Sequence, residues 1–451
     1  MTSASPLALA PDRPFAGIIA WCRARPWLAI ALVLGAWALM PGVRRLFDWR
    51  AGGFASVSVL SIVPLVALVP AALALTYGGR LRYVDRRLAL CAWLWTGGFG
   101  FAFVVALANG GSPFAATYAL GQFMLPMAFG LWVATLDVPA GVLYERIANV
   151  LLWLSTPLCL YAALQFAAPP PWDVSWMRHA NIVSIGPPLP YQLRPFSTLN
   201  GPGVFADFLD ITLAINLPRL IASRSPLRIA QFSLCLAALA LTMVRTGWLG
   251  FAVAIVAYLA LTPHRTRNLA VFGGVAVVVA VVILNASLLL GGAQTGDDIT
   301  ARFSTLGNLN DDYSFVDRQR YFEGLLTSAL GQPLGAGLGV IGTAAKLGAG
   351  GTVKDFDNGF VARFTEMGYF GMACYMATLG WMIALALDTW RRYAARGLPQ
   401  LTAIAAAVVA VQVMLFVLDI SSDHHNALAG IAFWLTMALV LGRDRPADRA
   451  R

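Results

Sequence analysis

The sequence predicts an all-α polytopic membrane protein with about 12 transmembrane helices and a large periplasmic loop between helices 9 and 10. Two observations support this fold class. The 451 residues are 59% hydrophobic and only 12% charged, with a mean hydropathy of +0.69, which leaves too little polar surface to coat a soluble globule. Apolar runs of roughly 20 residues also recur along the whole chain, and a helix of that length crosses about 30 Å of hydrocarbon.

The apolar runs divide the chain into four segments. Residues 1–168 form the N-terminal membrane helices, with spans at 26–41, 54–77, 88–109, 113–136 and 142–168. Residues 169–290 hold a first outer loop and spans at 201–222, 228–244, 246–262 and 268–290. Residues 291–356 form the periplasmic loop, with a short amphipathic helix. Residues 357–451 hold spans at 357–387, 400–418 and 424–442, followed by a cytoplasmic tail.

One helix boundary decides which loops share a side of the membrane. Residues 229–262 as a single helix would extend about 51 Å, far beyond the bilayer, so we predict a break at Arg245-Thr246-Gly247. We counted Arg and Lys in the loops, leaving out residues 291–356 and the membrane-boundary residues. With this break and a cytoplasmic start, 20 of them lie inside and 5 outside. Without the break, 11 lie inside and 14 outside. The positive-inside rule therefore favours the break, with both termini in the cytoplasm and the protein in a bacterial inner membrane.

The net charge of +10 comes from 30 Arg and 2 Lys against 22 acidic residues. Cytoplasmic loop charge accounts for this excess, and without a basic stripe interleaved with exposed aromatic residues a nucleic-acid partner is not expected. Three arginines depart from the rule, because the topology puts Arg44, Arg45 and Arg50 outside. The five cysteines fall in or beside apolar runs and are predicted to be small core residues rather than disulfides or metal ligands: Cys22, Cys91, Cys159, Cys235 and Cys374.

Two arginines at predicted outer membrane boundaries are candidate anion-binding residues. Arg194 lies just before a span that carries Asp207 and Asp210, beside the positive end of a helix; pairing with Asp207 or anchoring to lipid phosphate are the alternatives. Arg245 stands between two apolar runs, where a charged side chain costs roughly 2.5–3.5 kcal/mol at the bilayer centre and less near its edge. It therefore marks a site or a pathway, or else is a snorkelling interfacial residue.

The long outer loop adds further candidates. Arg302 comes first, then Arg318 and Arg320 on the amphipathic helix, and then a glycine-rich turn at 333–339. The turn is not a dinucleotide fingerprint, because no strand–turn–helix unit surrounds it. The polar residues 341–354 that follow it could act as a lid.

The start of the tenth span is the next candidate. Asp357, ahead of Asn358 and Gly359, is expected either to cap the helix or to face the same cavity as the arginines. Arg363 and Glu366 are three residues apart on one helix face, so a structural ion pair is expected for them.

The last outer turn, Asp419–Asn426, contains two adjacent histidines, His424 and His425. Adjacent side chains point in different directions on a helix, and the other two histidines, His179 and His264, lie on opposite sides of the membrane in the predicted topology. A two-histidine metal site is therefore not expected, and capping or network roles are favoured for this pair.

Taken together, these segments resemble the O-antigen ligase and polysaccharide polymerase family of bacterial membrane glycosyltransferases. Arg194-Pro195-Phe196 with Asn200 is similar to the family's Arg-Phe-Gly-type segment ahead of the sixth span. Thr242–Gly247 resembles its Thr-x-Ser-Arg-Gly corner, with Val244 and Thr246 at the usual Ser and Gly positions. Residues 333–339 and 357–371 resemble its glycine-rich turn and following helix. The local matches cover about the last 260 residues.

The resemblance implies an inverting, metal-independent transfer of a glycan from undecaprenyl diphosphate to an acceptor hydroxyl at the periplasmic face, without a cofactor. In that picture Arg194, Arg245 and Asp357 are catalytic, the two arginines binding the diphosphate. The substrate-binding candidates are Arg302, Arg318, Arg320, Arg363 and Asn358. The expected partners are the lipid-linked donor, the glycan acceptor, membrane lipids, a chain-length regulator and a flippase.

Three functions remain open at this point. The family's ligases place a His near the start of the tenth span, where this chain has Asp357, so a polymerase that joins repeat units of an exopolysaccharide or O-antigen is favoured. An O-antigen ligase or a protein O-oligosaccharyltransferase is the first alternative. A secondary transporter is the second, although related halves around a midplane site, typical of transporters, are not evident in the sequence.

Overall fold

The computed structural model describes residues 15–54, 58–180, 183–222, 225–263, 269–270, 272–274, 327, 329–348 and 358–442. These residues form helices joined by turns. The helices of the amino-terminal part are α1 (Ala16–Ala24), α2 (Pro26–Arg50), α3 (Val63–Val66), α4 (Val69–Thr76), α5 (Arg86–Ala108), α6 (Pro113–Ala134), α7 (Ala140–Ala167) and α8 (Pro171–Ala180). The remaining ones are α9 (Pro202–Ala222), α10 (Pro226–Leu241), α11 (Arg245–Leu261), α12 (Gly342–Ala345), α13 (Gly359–Ala395), α14 (Pro399–Leu418) and α15 (Ala427–Val440).

The helices confirm the predicted class of helical membrane protein. Within the described ranges, α2, α5, α6, α7, α13 and α14 are long and apolar enough to cross a membrane. The stretch covering α3 and α4 and the helices α10, α11 and α15 are shorter and apolar. Most of the predicted span 268–290 lies outside the described residues, so the count of 12 spans and the division into four segments stay predictions.

Within the stretch predicted as one span, 54–77, the described residues 58–77 form short helices rather than one continuous helix. Pro64 and Pro70 stand in the first turns of α3 and α4. A proline has no backbone N–H and clashes with the preceding turn of a continuous helix, but fits a helix start. The two prolines therefore divide a run of apolar residues that hydropathy alone joins together.

The predicted break between α10 and α11 is confirmed, three residues earlier than expected. The chain turns at Thr242–Val244, where Met243 adopts a left-handed φ of 53°. Gly247 is helical and serves a different purpose, because a Cβ there would lie 2.9 Å from the Ala206 Cβ. The glycine thus allows α11 to approach α9 closely rather than making the turn.

Helix α9 forms the centre of the bundle. Its residues are buried along nearly the whole length, including the polar Asp210, Thr212 and Asn216. It packs against α7, α10, α11, α14 and α15. A helix buried on all sides within a helical membrane protein is shielded from lipid, so its carboxylates face protein rather than hydrocarbon.

The predicted motifs that lie in the described residues meet at one end of the bundle, which we call the site end: the end at which α9, α11 and α13 begin. Gly359 in α13 donates its N–H to the Asp419 carbonyl just after α14 (2.7 Å). A Cβ at Gly250 would lie 2.8 Å from Leu418, so α11 begins level with the end of α14. The Asp419–Asn426 turn lies there too. We call the other end the opposite end.

Candidate active site

Arg194 contacts the first residues of the Thr242–Gly247 segment, which we call the corner and which contains Arg245. Its Nε donates to the Thr242 carbonyl (3.0 Å) and its Nη2 to the Met243 carbonyl (3.1 Å), while Nη1 donates to the Ser184 carbonyl (3.0 Å). Two predicted arginine segments, about 50 residues apart in sequence, therefore form one structural unit.

A buried arginine on α2 holds the loop that carries Arg194. Arg45 donates from Nη1 to the Leu199 carbonyl (2.6 Å) and from Nη2 to the Ser197 carbonyl (2.5 Å). Its Nε bonds Asp173 (2.7 Å), and both side chains are fully buried. The predicted outer position of Arg45 departs from the positive-inside rule, and this departure was the sequence signal for its role in holding the loop.

Asp173 and Gln165 complete this anchor. The other oxygen of Asp173 accepts from the Tyr161 hydroxyl (2.6 Å) and the Gln165 side chain (2.7 Å). Gln165 in turn accepts the backbone N–H groups of Phe196 and Ser197, both at 2.9 Å. Because the buried polar groups have partners, the loop has one well-defined position beside α9.

Arg245 is the first residue of α11 and is partly exposed at the site end. The preceding Val244 is extended, and the helix begins without a side-chain cap. Two residues on, Gly247 brings the first turn of α11 against α9, so that a Cβ there would also lie 3.4 Å from an Asp210 oxygen. The corner therefore packs against the buried Asp210 carboxylate.

The glycine-rich turn is wedged between three helices. Gly335, Gly337 and Gly339 have φ values of 79°, 96° and 90°. A Cβ on Gly335 would lie 2.5 Å from a carbonyl of α13, one on Gly337 would overlap Ala106 of α5, and one on Gly339 would lie 2.8 Å from Ala115 of α6. Only glycine meets both requirements, the left-handed backbone and the close approach.

Helix α13 is broken where this turn docks. Gly368 has φ 60° and ψ −163°, which no helix contains. The N–H groups of Ala336 and Gly337 bond the carbonyls of Thr365 and Glu366, and Tyr369 donates back to the Pro333 carbonyl. The turn thus satisfies backbone groups that the break would leave without partners.

Arg363 forms the expected ion pair with Glu366 and a second one with Asp423 (Nη2 to Oδ2, 2.9 Å). Its guanidinium also lies 4.8 Å from the centre of the Phe123 ring. Glu366 accepts the N–H groups of Gly339 (2.9 Å) and Ile341 (3.2 Å). This predicted substrate-binding arginine is 3% exposed, and it joins the glycine-rich turn to the last outer turn.

The last outer turn is a dense polar network. Asp419 accepts from the Tyr375 hydroxyl (2.5 Å), the His424 N–H (2.9 Å) and the His425 ring (2.7 Å). Burial raises the pKa of the Asp419 carboxyl, but His425, His424 and the Tyr375 hydroxyl outweigh burial and hold it below its ordinary value. The predicted network role of the two histidines is confirmed.

His424 links this turn to α9. Its Nε2 lies 3.1 Å from Asp207 Oδ1, and its Nδ1 lies 2.7 Å from the Ser422 carbonyl. Burial favours the neutral ring, but the Asp207 carboxylate, supported by Asp419 and the Ser422 carbonyl, raises the pKa of His424 to about 9. His424 is therefore an imidazolium at neutral pH.

Of the remaining candidates, only Asn358 lies in the described residues. Asn358 is the N-cap of α13, the role that the sequence suggested for Asp357. Its side chain accepts the Val361 N–H (3.0 Å) and donates to the Ile420 carbonyl (2.9 Å). Four candidates lie outside the described residues: Asp357, Arg302, Arg318 and Arg320.

Metal ligation finds no support in the described ranges, where no group of three or more His, Cys, Asp or Glu side chains could hold a metal ion. The predicted burial of Cys22, Cys91, Cys159 and Cys235 is confirmed, and all five cysteines are free thiols.

The fold and this site define a helical membrane protein whose polar chemistry is concentrated at one end of the bundle. Residues 230–376 match a family model described as O-Antigen ligase. The matched segment, about a third of the chain, is similar to this family and contains the corner, the glycine-rich turn and Arg363. No curated protein sequence matches the chain.

The family match confirms the resemblance read from the motifs. It supports a membrane-embedded enzyme of the O-antigen ligase and polymerase type, a glycosyltransferase-like class that uses lipid-linked glycans in general. Arg194, Arg45 and the Asp419–Asn426 turn lie outside the matched segment but are bonded to it or to its neighbours.

Proposed function

We propose that the protein is a polymerase that transfers undecaprenyl-diphosphate-linked oligosaccharide repeat units to a growing exopolysaccharide or O-antigen. The transfer is inverting and independent of metal. The family match supports the enzyme class. The polymerase assignment is supported by Asp357, which stands where the ligases of the family have a His.

The observation that carries this proposal is the contact between Arg194 and the corner. Through the carbonyls of Thr242 and Met243, one guanidinium fixes the segment that presents the other. A departing diphosphate is a stable anion, so the chemistry chiefly needs fixed positive charge where negative charge grows. Arginine suits this task because it stays charged and bonds phosphate oxygens in pairs.

The other candidate residues take supporting roles in the proposal. Asp357 orients the acceptor hydroxyl, and Arg302, Arg318 and Arg320 add positive charge for the donor; these roles rest on sequence alone. Asn358 and Arg363 shape the substrate pocket by fixing the start of α13 against the last outer turn.

The proposal places the site end in the periplasm and both termini in the cytoplasm of a bacterial inner membrane. Arginines concentrated at the opposite end support this orientation under the positive-inside rule. They include Arg80 and Arg87 near the start of α5, Arg219 near the end of α9 and Arg392 near the end of α13. A chain-length regulator and a flippase are the partners that polymer synthesis calls for.

The decisive experiment measures polymer formation by the purified protein in lipid nanodiscs with lipid-linked repeat units. Arg245→Ala should lower turnover at least 100-fold, the order of effect seen when a fixed group that stabilises developing charge is removed. Arg245→Lys should also lose most activity, because the bidentate geometry is lost. The control Arg392→Ala, an exposed arginine of the opposite end, should keep wild-type turnover.

The products separate the alternatives. Transfer of one glycan to lipid A–core or to a protein, without chain growth, would identify a ligase or a protein O-oligosaccharyltransferase. Solute uptake without any glycan product would identify a transporter. Full activity of Arg245→Ala would remove the proposed donor site.

A further inference from the structure

The proposed transfer needs a group that accepts the proton of the acceptor hydroxyl, and the described carboxylates of the site end differ in whether they can do so. Asp173, Glu366 and Asp419 have side chains at most 2% exposed. Asp423 is 15% exposed and tied to Arg363 and Asn426. Asp207 is 20% exposed, the most accessible of these carboxylates, and its partner is an imidazole.

Asp207 also lies beside the proposed donor site. The neighbouring Ala206 Cβ would be 2.9 Å from a Cβ on Gly247, and Asp210, one turn further along α9, faces the same glycine. Asp207 follows Ala206 in the turn of α9 that packs against the first turn of α11, which begins with Arg245, and its carboxylate contacts His424 of the last outer turn.

The hydrogen bonds of the His424 ring make it a donor to Asp207. Its Nδ1 points to a carbonyl oxygen, Ser422, which can only accept, so Nδ1 carries a hydrogen. The proton of the imidazolium on Nε2 is then donated to Asp207 Oδ1 at 3.1 Å. This arrangement engages Oδ1 and holds the carboxylate in one orientation.

We propose that Asp207 is the general base of the transfer and that His424 is its positioning residue, an inference that rests on the proposed function. As the acceptor oxygen bonds to the anomeric carbon, its proton passes to Asp207. The bond from the anomeric carbon to the diphosphate breaks, and its electron pair leaves with the diphosphate. No oxidant, reductant or further reactant is needed, because the proton and the leaving group are both accounted for.

The ionisation of His424 agrees with this role. Burial opposes its charge, but Asp207, Asp419 and the Ser422 carbonyl together outweigh burial and raise the pKa of His424 to about 9, so the donated N–H persists at neutral pH. The charged and titratable groups on the elements packed about this turn are Asp207 on α9, Arg245 on α11, Arg363 and Tyr375 on α13, and Asp419 and Asp423 of the turn itself.

The test is the nanodisc assay with lipid-linked repeat units. Asp207→Asn should lower kcat by at least 100-fold, as loss of a general base does, with a KM for the donor within about twofold of wild type. Asp388→Asn, the same change in an exposed carboxylate of the opposite end, is the matched control and should keep the wild-type kcat. If Asp207→Asn does not fold, Asp207→Glu carries the test, with kcat expected to fall at least tenfold at unchanged KM.

His424→Gln tests the positioning role, because a glutamine amide keeps an N–H donor that does not titrate. The wild-type kcat should fall above about pH 9 as His424 loses its proton, and the variant should lose this alkaline decline. A structural role alone would leave the shape of the pH profile unchanged, and that result would overturn the assignment of His424.

The outcomes separate this inference from the proposed function. Wild-type kcat in both Asp207 variants, with Arg245→Ala inactive, would overturn the base and leave the donor site intact. Loss of donor binding together with kcat in the Asp207 variants would also overturn it. A wild-type protein that forms no glycosidic bond with lipid-linked repeat units would overturn the proposed function, and the base with it.

Discussion

The two ends of the bundle hold their charged side chains in different ways. At the site end the side chains of Arg45 and Asp173 are fully buried, and that of Arg363 is 4% exposed. At the opposite end Arg87 and Asp388 pair with side chains 36% and 50% exposed. Exposed pairs contribute about 0–1 kcal/mol, whereas buried ones carry a desolvation penalty. The site end therefore keeps charges that stability alone does not require.

Arg363 gives the sharpest test of this contrast. Arg363→Ala should lower the free energy of unfolding by about 3–5 kcal/mol, because the buried Glu366 and the mostly buried Asp423 remain without their cation. Arg392→Ala at the opposite end should change it by about 1 kcal/mol or less. Thermal unfolding in detergent measures both, and equal effects would contradict the contrast.

The pH dependence of stability tests the buried histidine. The pKa of His424 is raised in the folded protein, so its contribution is fully present below the unfolded value of 6.5 and is lost as the pH rises through about 9. The loss amounts to about 3 kcal/mol at most.

The melting temperature of the wild type should therefore decline between about pH 6.5 and 9. His424→Gln should flatten this decline, and His179→Gln, which replaces an exposed histidine of the site end, should leave it in place. A wild-type melting temperature that stays constant over this range would contradict the ion pair with Asp207.

Substitutions at two glycines with left-handed backbone allow the packing of the two ends to be compared. Gly397, at the opposite end, has φ 65° and open space around it, so Gly397→Ala should cost only about 1 kcal/mol of backbone strain. Gly337 has φ 96° and meets Ala106, so Gly337→Ala should add an overpacking cost of about 1–3 kcal/mol. Denaturant unfolding of the two variants measures the difference, and similar losses would show that the turn can move away from α5.

Most helices of the fold could be predicted, because apolar runs of membrane length are a strong signal that does not depend on tertiary contacts. The errors lie where local chemistry competes with hydropathy. Pro64 and Pro70 divide one apolar run, and Met243 rather than a glycine makes the turn after α10. The amphipathic α8 was missed, since its residues are too polar to form a span.

Single candidate residues could be chosen from the sequence, but most of their contacts could not be predicted. The Arg363–Glu366 pair could be predicted because three residues separate them on one helix. The contact between Arg194 and the corner, the anchoring of the loop by Arg45, and the pair of Asp207 with His424 join positions 48 to 217 residues apart. Sequence spacing carries no information on such pairs, and only the packing of the helices and loops brings them together.

The bonds of Arg194 have a consequence for engineering chimeric enzymes. The segment that matches the family, 230–376, contains the corner but not the side chain that shapes it. An exchange of this segment between related enzymes would place a foreign corner on a native arginine, and the arginine itself depends on Arg45 and Asp173. Under the proposed function, donor preference should therefore transfer between homologues only when the loop before α9 and its α2 anchor are exchanged along with the segment.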